Sequence, residues 1–217
     1  VSITGAILPT SRSVRVGGTP ATAFATMINA TDRTLTGCGL SLGTNIDAAF
    51  EYRTTDPLTN RPIEPASTVV SIAAGGVQTW VFGITPRSAF APVEVTITMD
   101  CDGVDPAPVY PGVNTLLLSA SDSPVPDMVA LSATLANDGV VRAPGYVATG
   151  AFAVATINVG SDGTVRAIPE LTGNYAGSTA TICKTDQAGN CLAPPAPSVR
   201  FTTLGGMADS FGIFVAA

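Results

Sequence analysis

The chain has 217 residues, a net charge of −6, 12% charged residues and no histidine. Its basic residues are nine Arg and a single Lys, Lys184, which leaves no basic patch for nucleic acid. Without His, the commonest general base, nucleophile activator and metal ligand are all missing. No enzymatic activity is therefore expected, a carboxylate pair being the one route that needs no imidazole.

Hydrophobic residues make up 46% of the chain, enough for a core, and the length fits two domains of ordinary size. Short runs rich in Val, Ile, Thr and Phe, broken by Gly, Pro, Asn and Asp, predict an all-β protein. In chain order, the segment from Val1 to Leu8 reads as a first strand, and Gly17-Gly18 as a turn that needs positive φ. Asn29-Ala30-Thr31 is a formal N-glycosylation sequon, which carries no meaning in a bacterial chain. Cys38 then lies in phase with Leu40 and Leu42. Further on, Trp80, Phe82 and Ile84 alternate with polar or small residues, and Trp80 is expected in the core. Val93, Val95, Ile97, Met99 and Cys101 alternate with Glu94, Thr96, Thr98 and Asp100, the pattern of a strand with one buried face. Leu116-Leu117-Leu118 reads as a buried strand, and no apolar run is long enough to cross a bilayer. In the second half, Asn137-Asp138-Gly139 and Ser161-Asp162-Gly163 are turn sequences of the kind that join hairpins.

The chain repeats itself. Thr55 to Gly76 recurs as Thr185 to Gly206, with eight identities in 22 positions where composition alone would give roughly one or two. The identical pairs include Thr55 with Thr185, Asp56 with Asp186, Val69 with Val199, and Gly75-Gly76 with Gly205-Gly206. After small slips, Phe82-Gly83-Ile84 matches Phe211-Gly212-Ile213, and Ala23-Phe24-Ala25 matches Ala151-Phe152-Ala153. Strands at this spacing predict a β-sandwich in each copy. The modules are residues 1–122 and 128–217, joined by a Pro- and acid-rich linker at 123–127. Copy one continues beyond Ile84 through two more strands, whereas the second copy lacks their counterparts. That absence predicts an apolar groove and an unpaired edge. The missing strands belong to further sequence, were lost by truncation, or are donated by a neighbouring subunit.

The four cysteines pair within copies by phase and spacing. Cys38 and Cys101 are expected to bridge two strands across the first sandwich, and Cys183 and Cys191 to clip a hairpin. Arg53 and Arg61 stand at the positions aligned with that clip. Such pairing points to an oxidising compartment. The chain starts at Val1, as a processed product would, with any signal peptide already gone.

Candidate ligand sites are few. Asp100, Asp102 and Asp105, with Gly103 to bend the loop, would offer hard oxygen ligands to Ca²⁺ but lack a later bidentate Glu; an acidic turn is the competing reading. Asp122 and Asp127 bracket the linker as a second calcium candidate. Among Tyr52, Tyr110, Tyr146 and Tyr175, Tyr110 beside a Pro-rich loop is the expected exposed contact.

The strings Ala23-Phe24-Ala25-Thr26-Met27-Ile28-Asn29, Asn114-Thr115-Leu116-Leu117-Leu118-Ser119-Ala120 and Cys191-Leu192-Ala193-Pro194-Pro195 resemble exported, mainly proteobacterial proteins that carry tandem immunoglobulin-like or fibronectin-type-III-like modules. The resemblance implies two Ig-like sandwiches and an extracytoplasmic location, with no assigned activity to carry over. Trp80 departs from the place that antibody-type domains use. The expected function is that of an exported, non-enzymatic, cell-surface structural or adhesive protein that associates with itself or a protein partner through sheet edges. The alternatives are a carbohydrate-binding or calcium-assisted adhesion module, and an accessory domain of a secreted hydrolase.

Overall fold

The computed structural model describes residues 1–136, 139–142, 149–171 and 177–216. Among these the protein is all-β, with fifteen strands and no helix, hence no helix long and apolar enough to cross a membrane. It divides into two compact units, Val1–Val125 and Pro126–Ala217, so the boundary falls inside the expected linker. Asn137, Asp138, Tyr146 and Tyr175 lie outside the described residues.

The first unit contains β1 (Ile3–Leu8), β2 (Ser11–Arg15), β3 (Ala21–Asn29), β4 (Leu35–Leu42), β5 (Ala48–Thr54), β6 (Val70–Ile72), β7 (Val77–Pro86), β8 (Phe90–Asp100) and β9 (Thr115–Ser121). One sheet has the order β1-β3-β7-β5 and the other β2-β9-β8-β4-β6, with β2 parallel to β9. Period-two alternation turns Ala21, Ala23, Ala25 and Met27 of β3 and Trp80, Phe82 and Ile84 of β7 inward. They meet Val95, Ile97, Met99, Leu116 and Leu118 from the other sheet in one buried cluster. Each large apolar side chain removed from water here contributes about 1.5–3 kcal/mol. Small residues on β3 make room for large ones on β7, as Ala23 opposite Phe82 and Ala25 opposite Trp80 show. The expected Leu run is buried only at alternate positions: Leu116 and Leu118 point in, while Leu117 is on the outer face.

A buried amide organises the corner where β3 leaves its sheet. Asn29 is fully enclosed; its Nδ2 donates to the carbonyls of Arg33, Ile72 and Ala73, and its Oδ1 accepts from the Thr31 amide and hydroxyl. The sequon asparagine is therefore a structural bracket between β3 and β6. Asn158 is equally buried in the second unit, donating to the Ser161 carbonyl and accepting from the amides of Asp127 and Gly160.

The second unit contains β10 (Met128–Ala133), β11 (Thr149–Asn158), β12 (Gly163–Ala167), β13 (Thr179–Lys184), β14 (Val199–Thr203) and β15 (Ala208–Ala216). A four-stranded sheet, β10-β11-β15-β13, repeats the order β1-β3-β7-β5, and β12-β14 form a two-stranded sheet matching β4-β6. Strands equivalent to β8 and β9 are absent among the described residues, as the repeat predicts. Ser161-Asp162-Gly163 does not close a hairpin: β11 and β12 belong to different sheets, and the segment carries the chain between them.

Register corrects the sequence alignment. Asn29 faces Ile3 and Asn158 faces Met128, while the amides of Thr55 and Thr185 donate to the carbonyls of Thr79 and Ser210. Within that frame Ala25 and Thr54 face Trp80, whereas Val154 and Lys184 face Phe211. Phe211 thus stands in the place of Trp80, and Ile213 in that of Phe82. The Phe-Gly-Ile match is displaced by two residues, which preserves the buried face. The Phe24–Phe152 and Val69–Val199 matches are displaced by one, which reverses it: Phe24 and Val69 are exposed, whereas Phe152 and Val199 pack on the core.

Both cysteine pairs are oxidised. Cys38–Cys101 does not span the sandwich. The cysteines face each other on β4 and at the end of β8, neighbours in one sheet, with Cα atoms 4.0 Å apart. Cys183–Cys191 clips the hairpin after β13, beside the Thr185–Cys191 bridge. The equivalent bridge in the first unit joins Thr55 to Pro62, so Pro62 rather than Arg61 corresponds to Cys191. Arg53 pairs instead with Glu51 at 3.1 Å. Loop-closure entropy ranks the two bonds by their separations of 63 and 8 residues. In denaturant titrations, removing Cys38–Cys101 is expected to cost the first unit about 4 kcal/mol, and removing Cys183–Cys191 to cost the second about 2.5 kcal/mol.

Candidate functional site

The inner face of the second unit's four-stranded sheet follows the same alternation as the first. Phe152 and Val154 of β11, Ile182 of β13, and Phe211, Ile213 and Val215 of β15 point toward β12-β14. Only part of that face is covered. Ile182, Phe211 and Ile213 form the buried core, with Phe152, Val154, Ala167, Val199 and Phe201 half-buried around it. Ile84 is fully buried in the first unit, whereas Val215, its counterpart by register, is only partly so. The uncovered part is an apolar groove of about 430 Å³, floored by the large sheet and walled by Val165 to Leu171.

Matching the two units strand by strand shows what occupies this space in the complete copy. Leu35 faces Ile72 and Gly163 faces Thr203; after a bulge in β4, Cys38 faces Val70 as Val165 faces Phe201. Val165 and Ala167 therefore take the places of Cys38 and Leu40. The segment Arg166–Pro169 corresponds to Gly39–Leu42, which pairs with Ile97–Asp100 of β8. In the second unit the corresponding edge of β12 pairs with no strand among the described residues. The core cysteine bridge has no equivalent because Val165 stands where Cys38 does.

At one end of this inner face, two charges replace neutral residues. Lys184 Nζ is 2.6 Å from Asp209 Oδ1 and 5.1 Å from the centre of the Phe201 ring. By register they correspond to Thr54 and Gln78. The Asp209 side chain is 5% exposed, and its Oδ2 has no hydrogen-bond partner among the described residues. This pair was legible in outline, since Lys184 is in phase with the buried Ile182; its acidic partner comes from β15, which no local pattern connects to β13.

The residues expected to bind calcium do not converge: no three acidic side chains among the described residues lie close enough to hold a metal. Asp100 Oδ1 accepts the Cys101 amide, and the Asp102 carboxylate lies against Gly37 within reach of the Thr36 hydroxyl, 3.4 Å away. Asp127 is buried in the second unit. Tyr110 is 53% exposed, flanked by exposed Val109 and Val113. Its loop is pinned by buried Asn114, whose Oδ1 accepts the Tyr110 amide and whose Nδ2 donates to the Pro108 carbonyl.

Two carboxyls titrate below their ordinary range. Asp56 is held down chiefly by the Thr59 amide, then by the Thr59 hydroxyl and the Leu58 amide; Asp186 chiefly by the Asn190 amide, then by its side chain. Both cap solvent-exposed turns after the equivalent strands β5 and β13, so the repeated Thr-Asp is turn chemistry rather than an acid–base pair.

No family model matches the chain, and no curated protein matches it. Among solved structures, it is similar to a family 123 glycoside hydrolase from Clostridium perfringens, at 11% identity and a TM-score of 0.35, over 55% of this chain and 27% of the other. It is also similar to the secreted serine protease VesC from Vibrio cholerae, at 11% identity and 0.30, over 94% and 44%. A third similarity is to CBD12 from CALX1.2, at 10% identity and 0.24, over 97% and 74%. The chain thus spans less than half the length of the first two. Likeness at this level carries no functional argument.

The depressed carboxyls have a measurable consequence. A carboxyl whose pKa is lower in the folded state contributes stability that is complete above the unfolded value, near 3.9, and is lost as pH falls through the folded one. Urea titrations are expected to show both units weakening below about pH 4. Asp56→Asn should flatten this acid limb for the first unit, and Asp186→Asn for the second.

Proposed function

We infer that this is an exported, non-enzymatic structural or adhesive protein that works by association with other polypeptides at its second unit. One observation carries the reading: an antiparallel sheet with a continuous apolar inner face is left partly uncovered, beside a strand edge that pairs with nothing among the described residues. Exposed apolar surface next to free backbone donors and acceptors favours association with further strands. Two disulfides fit assembly in an oxidising compartment. Electron microscopy and sedimentation of native material test the reading. Fibres or stable complexes containing this chain are expected, and material that sediments as a lone monomer at all concentrations would overturn it.

Tyr110 favours a second, carbohydrate-contacting reading for the first unit, because a rigid loop holds its ring in solvent where a sugar face stacks. Glycan-array binding that survives Tyr110→Ala unchanged, or no binding by the native chain, would remove it.

A further inference from the structure

We propose that the outer face of the first unit's four-stranded sheet carries a binding site for a neutral saccharide, centred on Gly83. Register puts Thr22, Gly83 and Glu51 of β3, β7 and β5 in one cross-strand row, and Arg53 opposite Val81 in the next. Gly83 has no side chain, so the row sinks between two polar flanks. The result is a recess of about 400 Å³, walled by Pro20 and Pro62 and floored by Val81, Gly83 and Thr85. That volume suits a small ligand. The second unit fills the same place differently. Its equivalent row is Ala151, Phe214 and Thr181, with the bulk at the centre and smaller residues at the sides. A Cβ on the neighbouring Gly212 would meet the Phe214 ring at 3.3 Å and the sulfur of Cys183, the counterpart of Arg53, at 3.4 Å. The first unit therefore has a hollow where its copy has a ring, and a charged side chain where its copy has a disulfide.

The polar atoms of the recess restrict the ligand. Arg53 Nε donates to Glu51 Oε1 at 3.1 Å, which leaves both terminal guanidinium nitrogens and Glu51 Oε2 without a partner among the described residues. Thr22 Oγ1 accepts from Arg12 Nη1 at 3.1 Å and keeps its own hydrogen to donate. Donors and an acceptor thus stand side by side in a recess where the Arg53 and Glu51 charges cancel. An anion meets Glu51 as well as Arg53, and a cation meets the reverse, so net charge on the ligand gains little. Neighbouring hydroxyls of a sugar ring each donate and accept, and one such pair engages Arg53 and Glu51 together without separating them. Pro20, Pro62 and Val81 supply aliphatic contact for the C–H face of the ring. This site shares no residue with the second unit's groove or the Tyr110 loop, and it stands or falls apart from both readings above.

The test uses the oxidised full chain, isotopically labelled, with backbone amide shifts followed residue by residue. The probes are methyl α-glucopyranoside, methyl α-mannopyranoside, methyl β-galactopyranoside and N-acetylglucosamine, with acetate and glycine as an anion and a zwitterion for comparison. At least one sugar is expected to move the amides of Thr22, Glu51, Arg53, Val81 and Gly83 saturably while those of the Tyr110 loop stay still. Arg53→Ala and Glu51→Ala alter exposed side chains; each should weaken that binding about tenfold or more, as loss of a hydrogen bond to a charged group does. Gly83→Phe, which restores the ring of the second copy, should abolish it. A Cβ at this position comes 3.3 Å from Pro20, so emission of Trp80, the only Trp, reports whether the core of that variant is intact; if it is not, Arg53→Ala decides. No saturable shift with any of the four sugars overturns the proposal. So do shifts confined to the Tyr110 loop, binding that survives Arg53→Ala unchanged, or acetate or glycine acting on the recess as strongly as the sugars.

Discussion

An antiparallel sheet that is apolar on one face is stable in water only when something covers that face. Both units of this protein obey the same alternation on the same four-strand floor, and their difference follows from how far that requirement is met. In the first unit β8 and β9 complete the cover, and Trp80, Phe82 and Ile84 are sealed. In the second, only β12-β14 face the floor among the described residues, and the corresponding Phe211, Ile213 and Val215 are progressively less enclosed along β15. The groove is thus no local irregularity: it lies beside the β12 segment that corresponds to the part of β4 paired with β8.

The duplicated floor has been repacked by compensation. Where β3 places Ala23 opposite Phe82, β11 places Phe152 opposite Ile213; where Ala25 faces Trp80, Val154 faces Phe211. Bulk moves from one strand to its neighbour, a swap of the kind dense packing tolerates best. The corner asparagine is present in both copies; an enclosed amide must satisfy donor and acceptor together, and Asn29 and Asn158 do so through their own turns and through Ile72, Ala73 and Asp127 beyond them. A Lys–Asp pair at the edge of the second floor has no counterpart among the first unit's neutral residues. It sits beside incompletely covered surface, where water still offsets part of the cost of burying charge.

Particular residues show how much was readable. The alternation through Val93–Cys101 and the phase of Cys38 with Leu40 identified inward faces correctly, because side-chain direction in a strand is a local property. The same logic misplaced the Cys38–Cys101 bond: inward parity is shared by neighbours in one sheet and by partners across a sandwich, and only strand order distinguishes them. Ser161-Asp162-Gly163 has turn composition, yet whether a turn returns the chain to its own sheet or sends it to the other depends on distant pairing. Of the candidate site residues, Tyr110 is exposed as its Pro-rich setting implied, and Asp100 and Asp102 each accept a local hydrogen bond, from the Cys101 amide and the Thr36 hydroxyl.

Sequence by itself determined the all-β class, the twofold repetition and the oxidisable cysteine pairs, since each depends on composition, period or order along the chain. Tertiary structure alone decided which repeats are equivalent. Identity aligned Phe24 with Phe152 and Val69 with Val199, but a one-residue difference of register puts each pair on opposite faces. It also decided that the partly covered positions converge on one apolar groove, beside a β12 edge that pairs with no strand among the described residues. Register and convergence are relations between strands far apart in the chain, set by hydrogen bonding and packing, and no single segment encodes them.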